Sequence, residues 1–195
     1  WGAALGAIFA IIIGKQIFGG LGYNIFNPAL IGRAFLVAAF PVLMTTWVRP
    51  FTLDAVTTAT PLGLLKFQSQ STPILPLFLG RVVGSLGETS SLALLIGGAY
   101  LLLKRYIDWR IPLSYLSSVA LLSTIFYLIN PLYGAPSFHL FAGGLIIGAL
   151  FMATDPVTSP LSKQGRWIFG LGAGIIVVII RRWGGYPEGV MFSLL

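Results

Sequence analysis

The 195-residue sequence contains no cysteine and a single histidine, His139. Without cysteine the chain can form no disulfide, no thiolate-held iron–sulfur cluster and no cysteine zinc site. One histidine excludes a histidine-pair haem, and His139 is read as an interfacial or loop residue in preference to a ligand. Any redox chemistry in this chain therefore needs an organic cofactor. Charge is scarce too: 9% of residues are Asp, Glu, Lys or Arg and only five are acidic, where a soluble domain carries roughly 25% charged residues. Apolar residues take their place, at 56% hydrophobic with a mean hydropathy of +0.91. This is the composition of an integral membrane protein in contact with a lipid bilayer. The net charge is +7, but the twelve Lys and Arg are scattered among apolar runs without a stripe or arm. Nucleic acid is therefore excluded as a partner, and the charges are read as setting topology. No basic region precedes an apolar core at the start of the chain, so it does not read as a signal peptide. Trp1 and Leu195 both lie inside apolar runs, which predicts one transmembrane domain over residues 1–195, truncated at both ends.

From Trp1 to Gly14 the chain is uncharged, and Lys15 closes that run. The following GKQIFGGLGYNIFNPALIGRAF is too rich in glycine and asparagine for a plain lipid-facing helix. Asn27-Pro28 is a helix start, cap then first-turn proline, and the helix is expected to run to about Val48 with Arg33 inside it. A charge at that depth faces a cavity, a cofactor or a partner, or else snorkels to an interface. Trp47, Arg49 and Pro50 mark an exit, and a long connection of about residues 49–91 follows. It ends at GSLGETS, where Ser85 and Glu88 fit a capping box for the uncharged run Thr89–Leu103, with cation handling by Glu88 as the alternative. Lys104, Arg105, Asp108 and Arg110 form the densest charged patch. From Ile111 to Thr154 there is no Asp, Glu, Lys or Arg, room for two helices at about 20 residues per span, with a break at Asn130-Pro131, Gly134 and Pro136. Trp167–Ile180 is the next run, closed by Arg181 and Arg182, and GGYPEGVMFSLL opens a further span.

Several runs are fourteen or fifteen residues, about 21 to 23 Å as helix at 1.5 Å per residue, short of a ~30 Å hydrocarbon core. Such spans bordered by Gly, Asn, Asp and Pro suggest broken helices around a cavity. Asn24, Asn27, Arg33 and Asp155 are the polar candidates to line it. Asn27-Pro28 followed by Gly32-Arg33, and Asp155-Pro156 followed by Gly165-Arg166, suggest an inverted repeat. Overall the sequence predicts an all-α polytopic membrane protein.

Within the long connection lies DAVTTATPL, Asp54 to Leu62, a hydroxyl-rich segment with one carboxylate between apolar runs. Pro61 suits the first position of a short helix with Thr60 as its N-cap. A phosphate on Thr60 would sit at the positive end of that helix, with Lys66 nearby in sequence. From spacing alone, an ordinary cap with loop threonines around it is the stronger reading. Asp54, Thr57, Thr58, Ala59 and Thr60 give D-x-x-T-x-A-T, which resembles the flavin-attachment motif of a family comprising the D subunit of the Rnf electron-transport complex and the B subunit of the Na+-translocating NADH:quinone reductase. GGLGYNIFNPAL, GSLGETS, FMATDPVTSP and YPEG follow the family's order, so the likeness covers nearly the whole chain. DAVTTATPL and YPEG are closer to the Rnf D subunit. One departure is that Ala55 and Val56 stand where glycine is common in related motifs.

The resemblance implies FMN joined through its phosphate to Thr60, with Asp54, Thr57, Thr58 and Ala59 as the attachment motif read by a flavin transferase. It also implies a second, non-covalent flavin such as riboflavin, other Rnf membrane and flavin subunits as partners, and a urea-channel-like bundle in the bacterial cytoplasmic (inner) membrane. Electron transfer between ferredoxin and NAD would be coupled there to Na+ or H+ movement. With the Asp54 loop outside and exempted for its length, six basic residues (Lys15, Lys104, Arg105, Arg110, Lys163, Arg166) fall inside against Arg181 and Arg182 outside, which places Thr60 on the extracytoplasmic side. A small-solute channel or transporter of similar fold, the quinone-reductase B subunit and a structural scaffold are the alternatives; a channel has no need for the threonine motif, and a scaffold would carry no flavin.

Overall fold

A computed structural model describes residues 1–47, 59–85 and 87–195. Among the described residues the regular structure is entirely helical. The eleven helices are α1 (Gly2–Ile11), α2 (Pro28–Ala39), α3 (Pro41–Thr45), α4 (Pro61–Gln68), α5 (Ile74–Leu79), α6 (Ser91–Leu103), α7 (Arg110–Ile129), α8 (Pro136–Phe141), α9 (Leu145–Ile147), α10 (Lys163–Trp183) and α11 (Val190–Leu194). Helices α7 and α10 are long and apolar enough to cross a membrane. Pro131–Phe141 with Leu145–Met152 makes a third candidate, bent by 48°. Many large apolar side chains on these helices, such as Leu121, Leu128, Ile168 and Ile179, are exposed, as a lipid-facing surface requires.

The centre of the fold is the α7–α10 pair. Gly170 and Gly174 lie four residues apart on α10 and meet Ser114 and Ser118 of α7. A Cβ on Gly174 would stand 2.7 Å from the Tyr115 carbonyl oxygen, so backbone touches backbone. In lipid, small residues at a crossing give this close approach. The serine hydroxyls are satisfied within their own helix: Ser114 donates to Ile111 O at 3.1 Å and Ser118 to Tyr115 O at 2.8 Å. Around the crossing Tyr115, Val119, Ala173, Val177, Leu145 and Val190 form the main core. A smaller core of Leu62, Leu77, Phe138 and Ala142 seats α4 and α5 against α8.

Helix α1 runs on through a wider turn at Ile12–Gln16 and then unwinds, where Gly19, Gly20 and Gly22 take φ of +111°, +94° and +85°. The helix expected from Asn27 to about Val48 stops at Ala39. Phe40 leaves helical geometry (φ −134°, ψ 60°) because Pro41 follows it, and α3 starts anew there; Val48 lies outside the described residues. The long connection holds α4 and α5 and is not a plain loop. Ser85 and Glu88 do not cap α6: Ser90 does, its Oγ accepting from Ala93 N at 3.3 Å. Asn27 caps α2 as expected, accepting from Ala29 N at 3.0 Å. At Asp155-Pro156, by contrast, the chain makes a turn, and α10 begins only after Ser162, its cap. The two segments expected to echo each other therefore differ locally.

Arg181 and Arg182 sit in the last turn of α10 and are not loop charges. Arg181 is buried and donates to the His139 and Ala142 carbonyls at 2.6 and 3.0 Å. The bend after α8 frees those carbonyls, and a buried guanidinium serves them. His139 lies on α8, half-buried, with Nε2 2.7 Å from Tyr133 O, and not in a loop. At the opposite end Asp108 joins Arg110 and Arg166 at 2.8 and 2.5 Å. Burial pushes the Asp108 carboxyl up, but the Arg110 N–H and the Arg166 and Arg110 guanidiniums outweigh it and hold the group below the ordinary aspartate value.

Candidate functional site

Thr60 takes extended backbone (φ −64°, ψ 155°) just ahead of Pro61, and its Oγ1 accepts from Gly63 N at 3.3 Å. That bond is long, so the hydroxyl is only loosely committed. The buried Pro61, Leu62 and Gly63 hold the first turn of α4 in place. Thr60 is half-buried on the edge of a cleft of about 840 Å³, open mouth included. Trp47, Phe141, Tyr186 and Phe192 give the cleft aromatic walls, the last two stacked at 5.2 Å between ring centroids. Among the described residues its charged side chains are Arg33, Glu88 and Glu188.

These three come from distant parts of the sequence. Arg33 donates from NH2 to Glu188 Oε2 at 2.5 Å, and its NH1 stands 3.9 Å from Glu88 Oε2. Glu188 Oε1 accepts from Gly144 N at 2.8 Å, and Glu88 Oε1 accepts from Ser85 N at 3.0 Å. Oε2 of Glu88 is buried and has no hydrogen-bond partner among the described residues. In the loop ahead of α6, burial first and the Glu188 charge second push the Glu88 carboxyl up to about 7, with Arg33 and the bonds from Ser85 pulling the other way. A carboxylate in such a place is costly unless paired.

Of the residues predicted to serve the site, the structure brings together Thr60 and Arg33. Asn24 is buried but spends its Nδ2 on Phe26 O at 3.0 Å, Asn27 is a helix cap, and Asp155 accepts from Thr158 Oγ1 at 3.1 Å in its own turn; none of these three lines the cleft. Ala59 is exposed beside Thr60, and Asp54, Thr57 and Thr58 lie outside the described residues. Lys66 does not turn to Thr60. Its Nζ donates to Ile180 O, Gly184 O and Tyr186 O at 3.3, 2.6 and 3.0 Å, closing the C-terminus of α10, whose unpaired carbonyls attract a cation. Lys66→Met keeps the apolar stem and takes the donor from Gly184 O and Tyr186 O, while Ile180 O keeps its bond from Gly184 N at 2.8 Å. We expect a loss of about 1–3 kcal/mol, read as a lower melting temperature in detergent; an unchanged melting temperature would deny Lys66 this role.

Sequence reasoning missed Glu188 as the partner of Arg33. The signal was present: with only five acidic residues, few carboxylates exist to neutralise a cation at membrane depth. Among the described residues no cluster of His, Asp or Glu is arranged to hold a metal ion.

The model of the NQR2, RnfD, RnfE family matches residues 1–195. The D subunit of the proton-translocating ferredoxin:NAD(+) oxidoreductase complex of Clostridium ljungdahlii is 49% identical over 205 residues, covering 98% of this chain and 62% of that protein. Its counterpart in the Na(+)-translocating ferredoxin:NAD(+) oxidoreductase complex of Acetobacterium woodii is 48% identical over 199 residues, covering 100% and 61%. The D subunit of the ion-translocating oxidoreductase complex of Stutzerimonas stutzeri is 44% identical over 231 residues, covering 100% and 65%. The chain thus spans less than two thirds of the length of these curated relatives. With the family model matched from end to end, this membrane-embedded chain belongs to the NQR2, RnfD, RnfE family.

Proposed function

We propose that this chain is the membrane redox subunit of an ion-translocating ferredoxin:NAD oxidoreductase complex, carrying FMN in phosphoester linkage to Thr60. Its other partners would be the membrane and flavin subunits of an Rnf complex and, before assembly, a flavin transferase that reads Asp54, Thr57, Thr58 and Ala59. The observation that carries this reading is the placement of the Thr60 hydroxyl, weakly bonded at the start of α4 and open to an aromatic-walled cleft that also holds Arg33.

The residues present fit the group. A phosphoester at Thr60 Oγ1 would adjoin the N–H groups of the first turn of α4, where the helix favours negative charge. Tyr186, Phe192, Phe141 and Trp47 offer flat apolar surface for a ring system. FMN supplies one-electron chemistry when bound, and the chain holds it, orients it and limits its exposure to water. Glu188 is held by Arg33 and by Gly144 N–H, so its charge is compensated within the cleft. Arg110, Lys163 and Arg166 in the first turns of α7 and α10, with Lys104 and Arg105 ahead of α7, support an extracytoplasmic Thr60 in a bacterial inner membrane. A second, non-covalent flavin and the choice of Na+ or H+ belong to the same reading.

The test is in-gel fluorescence of the denatured subunit, wild type beside Thr60→Val, coexpressed with the transferase, with peptide mass to place the adduct. Val removes the acceptor oxygen at nearly constant volume, so fluorescence is expected in the wild type and complete loss in the variant. A dark wild-type band would favour a small-solute channel or a scaffold, and an equally bright variant would move the attachment elsewhere.

A further inference from the structure

Among the described residues Glu88 is the one acidic residue of the cleft whose second oxygen has no bond. Its relative exposure is 8%, and Oε2 stands 3.9 Å from the Arg33 guanidinium, beyond hydrogen-bond reach. Glu188 has already taken the short bond from Arg33. Both carboxyls converge on Gly144: a Cβ built there would stand 2.6 Å from Glu188 Oε1 and 2.9 Å from Glu88 Oε2. Two carboxylates close to one point with a single close cation leave a net charge of −1 in a shielded place, and like charges at short range do not both stay ionised.

We propose that Glu88 and Glu188 form a proton-binding site, a carboxyl pair that holds one proton between Glu88 Oε2 and Glu188 Oε1 beneath Arg33. The proton gives Glu88 Oε2 the bond it lacks, as an O–H donor to the neighbouring carboxylate. With it, the cluster of Arg33, Glu88 and Glu188 is neutral; on release the proton leaves through the open cleft and the cluster returns to −1. The other groups that face it are Arg181, whose NH2 stands 3.6 Å from the position of a Cβ on Gly143, as Glu188 Oε1 also does, and Tyr115, which bonds Ser193 and is buried. Arg181 is committed to the His139 and Ala142 carbonyls, so it neutralises neither carboxyl outright. Burial and the mutual repulsion of the two acids both favour protonation, which agrees with the upward displacement of Glu88. A sodium ion suits the site less well, because Arg33 occupies one side and Gly144 N–H points at Glu188 Oε1. The carboxyl pair binds its proton whether or not Thr60 carries a flavin.

The test is infrared difference spectroscopy of the full-length chain in its complex, titrated from acid to alkaline pH, in sodium chloride and again in choline chloride. A protonated-carboxyl C=O band that titrates near neutrality in both salts is expected from the wild type. Glu88→Gln, which keeps the oxygen that accepts from Ser85 N, should abolish the band. Glu188→Gln should retain it with its midpoint lowered by about one pH unit, as a like charge is removed. The absence of a near-neutral carboxyl band in the wild type overturns the proposal without recourse to any variant. So does a band unchanged in Glu88→Gln, a midpoint unmoved in Glu188→Gln, or a midpoint that depends on sodium, which would mark a cation site.

Discussion

Gly174→Val is expected to separate α7 from α10 and to lower stability by about 3 kcal/mol or more, at the upper end of overpacking costs. A Cβ at this position would meet Ser118 Oγ at 1.8 Å and the Tyr115 carbonyl oxygen at 2.7 Å. The hydroxyl cannot simply rotate away without giving up its bond to that same carbonyl, and the carbonyl is backbone inside a helix. The helices must therefore move apart, and the main core that Tyr115 and Val119 of α7 form with Val177 of α10 is opened. Gly172→Val is the control, because a Cβ there meets nothing within 4 Å, and its effect should stay within about 0.5 kcal/mol. Thermal unfolding in detergent compares the two variants directly. Equal melting temperatures would mean that α7 and α10 do not cross at Gly174.

Arg33→Met should destabilise the fold strongly above neutral pH and much less in acid. Removing one partner of a shielded ion pair leaves uncompensated charge, at about 3–5 kcal/mol when the pair is fully buried. Here Arg33 is 24% and Glu188 20% exposed, so about 2–3 kcal/mol is the expected scale once solvent screening is allowed for. The pH dependence follows from the sign. Glu88 binds its proton more tightly in the fold, at about 7, than at its ordinary value of 4.5, and Arg33 is one of the groups that oppose this. Without Arg33 the folded Glu88 carboxyl holds its proton more tightly still. The added penalty is therefore absent below the unfolded value, grows as pH rises through the interval, and is complete above the raised folded value. Melting temperatures of wild type and variant at pH 5 and pH 8 check it. A deficit equal at both pH values would show that Arg33 acts by packing its stem and not by its charge.

The parts of this fold visible in the sequence are those governed by local rules. Thr60-Pro61 and Asn27-Pro28 start helices because cap and first-turn proline act within three residues. The charge-free stretch from Ile111 to Thr154 became α7 and a bent pair, with the break at Asn130-Pro131 where it was expected. Pro41 was as visible as Pro28, and it cut the α2 run because a proline inside a helical pattern turns the preceding residue out of helical geometry. Contacts at long separation were not visible in this way. The Arg33–Glu188 bond spans 155 positions and the Lys66 bonds span 114 to 120; no periodicity records them, and only the shortage of acids hinted at the first. Glu88 was misassigned because S-x-x-E fits a helix start on paper, whereas Ser90 took the cap and left Glu88 facing inward.

The three bonds from Lys66 also have a mechanical meaning. Thr60 stands at one end of α4 and Lys66 near the other, and Lys66 is shackled to Ile180, Gly184 and Tyr186, the stretch that leads straight into Pro187 and Glu188. The short helix is thus a strut between the proposed attachment oxygen and the chain segment that carries one of the two converging acids. A tilt of α4 cannot be absorbed locally without breaking a bond at its far end, so the threonine and the acid keep a fixed spacing or shift together.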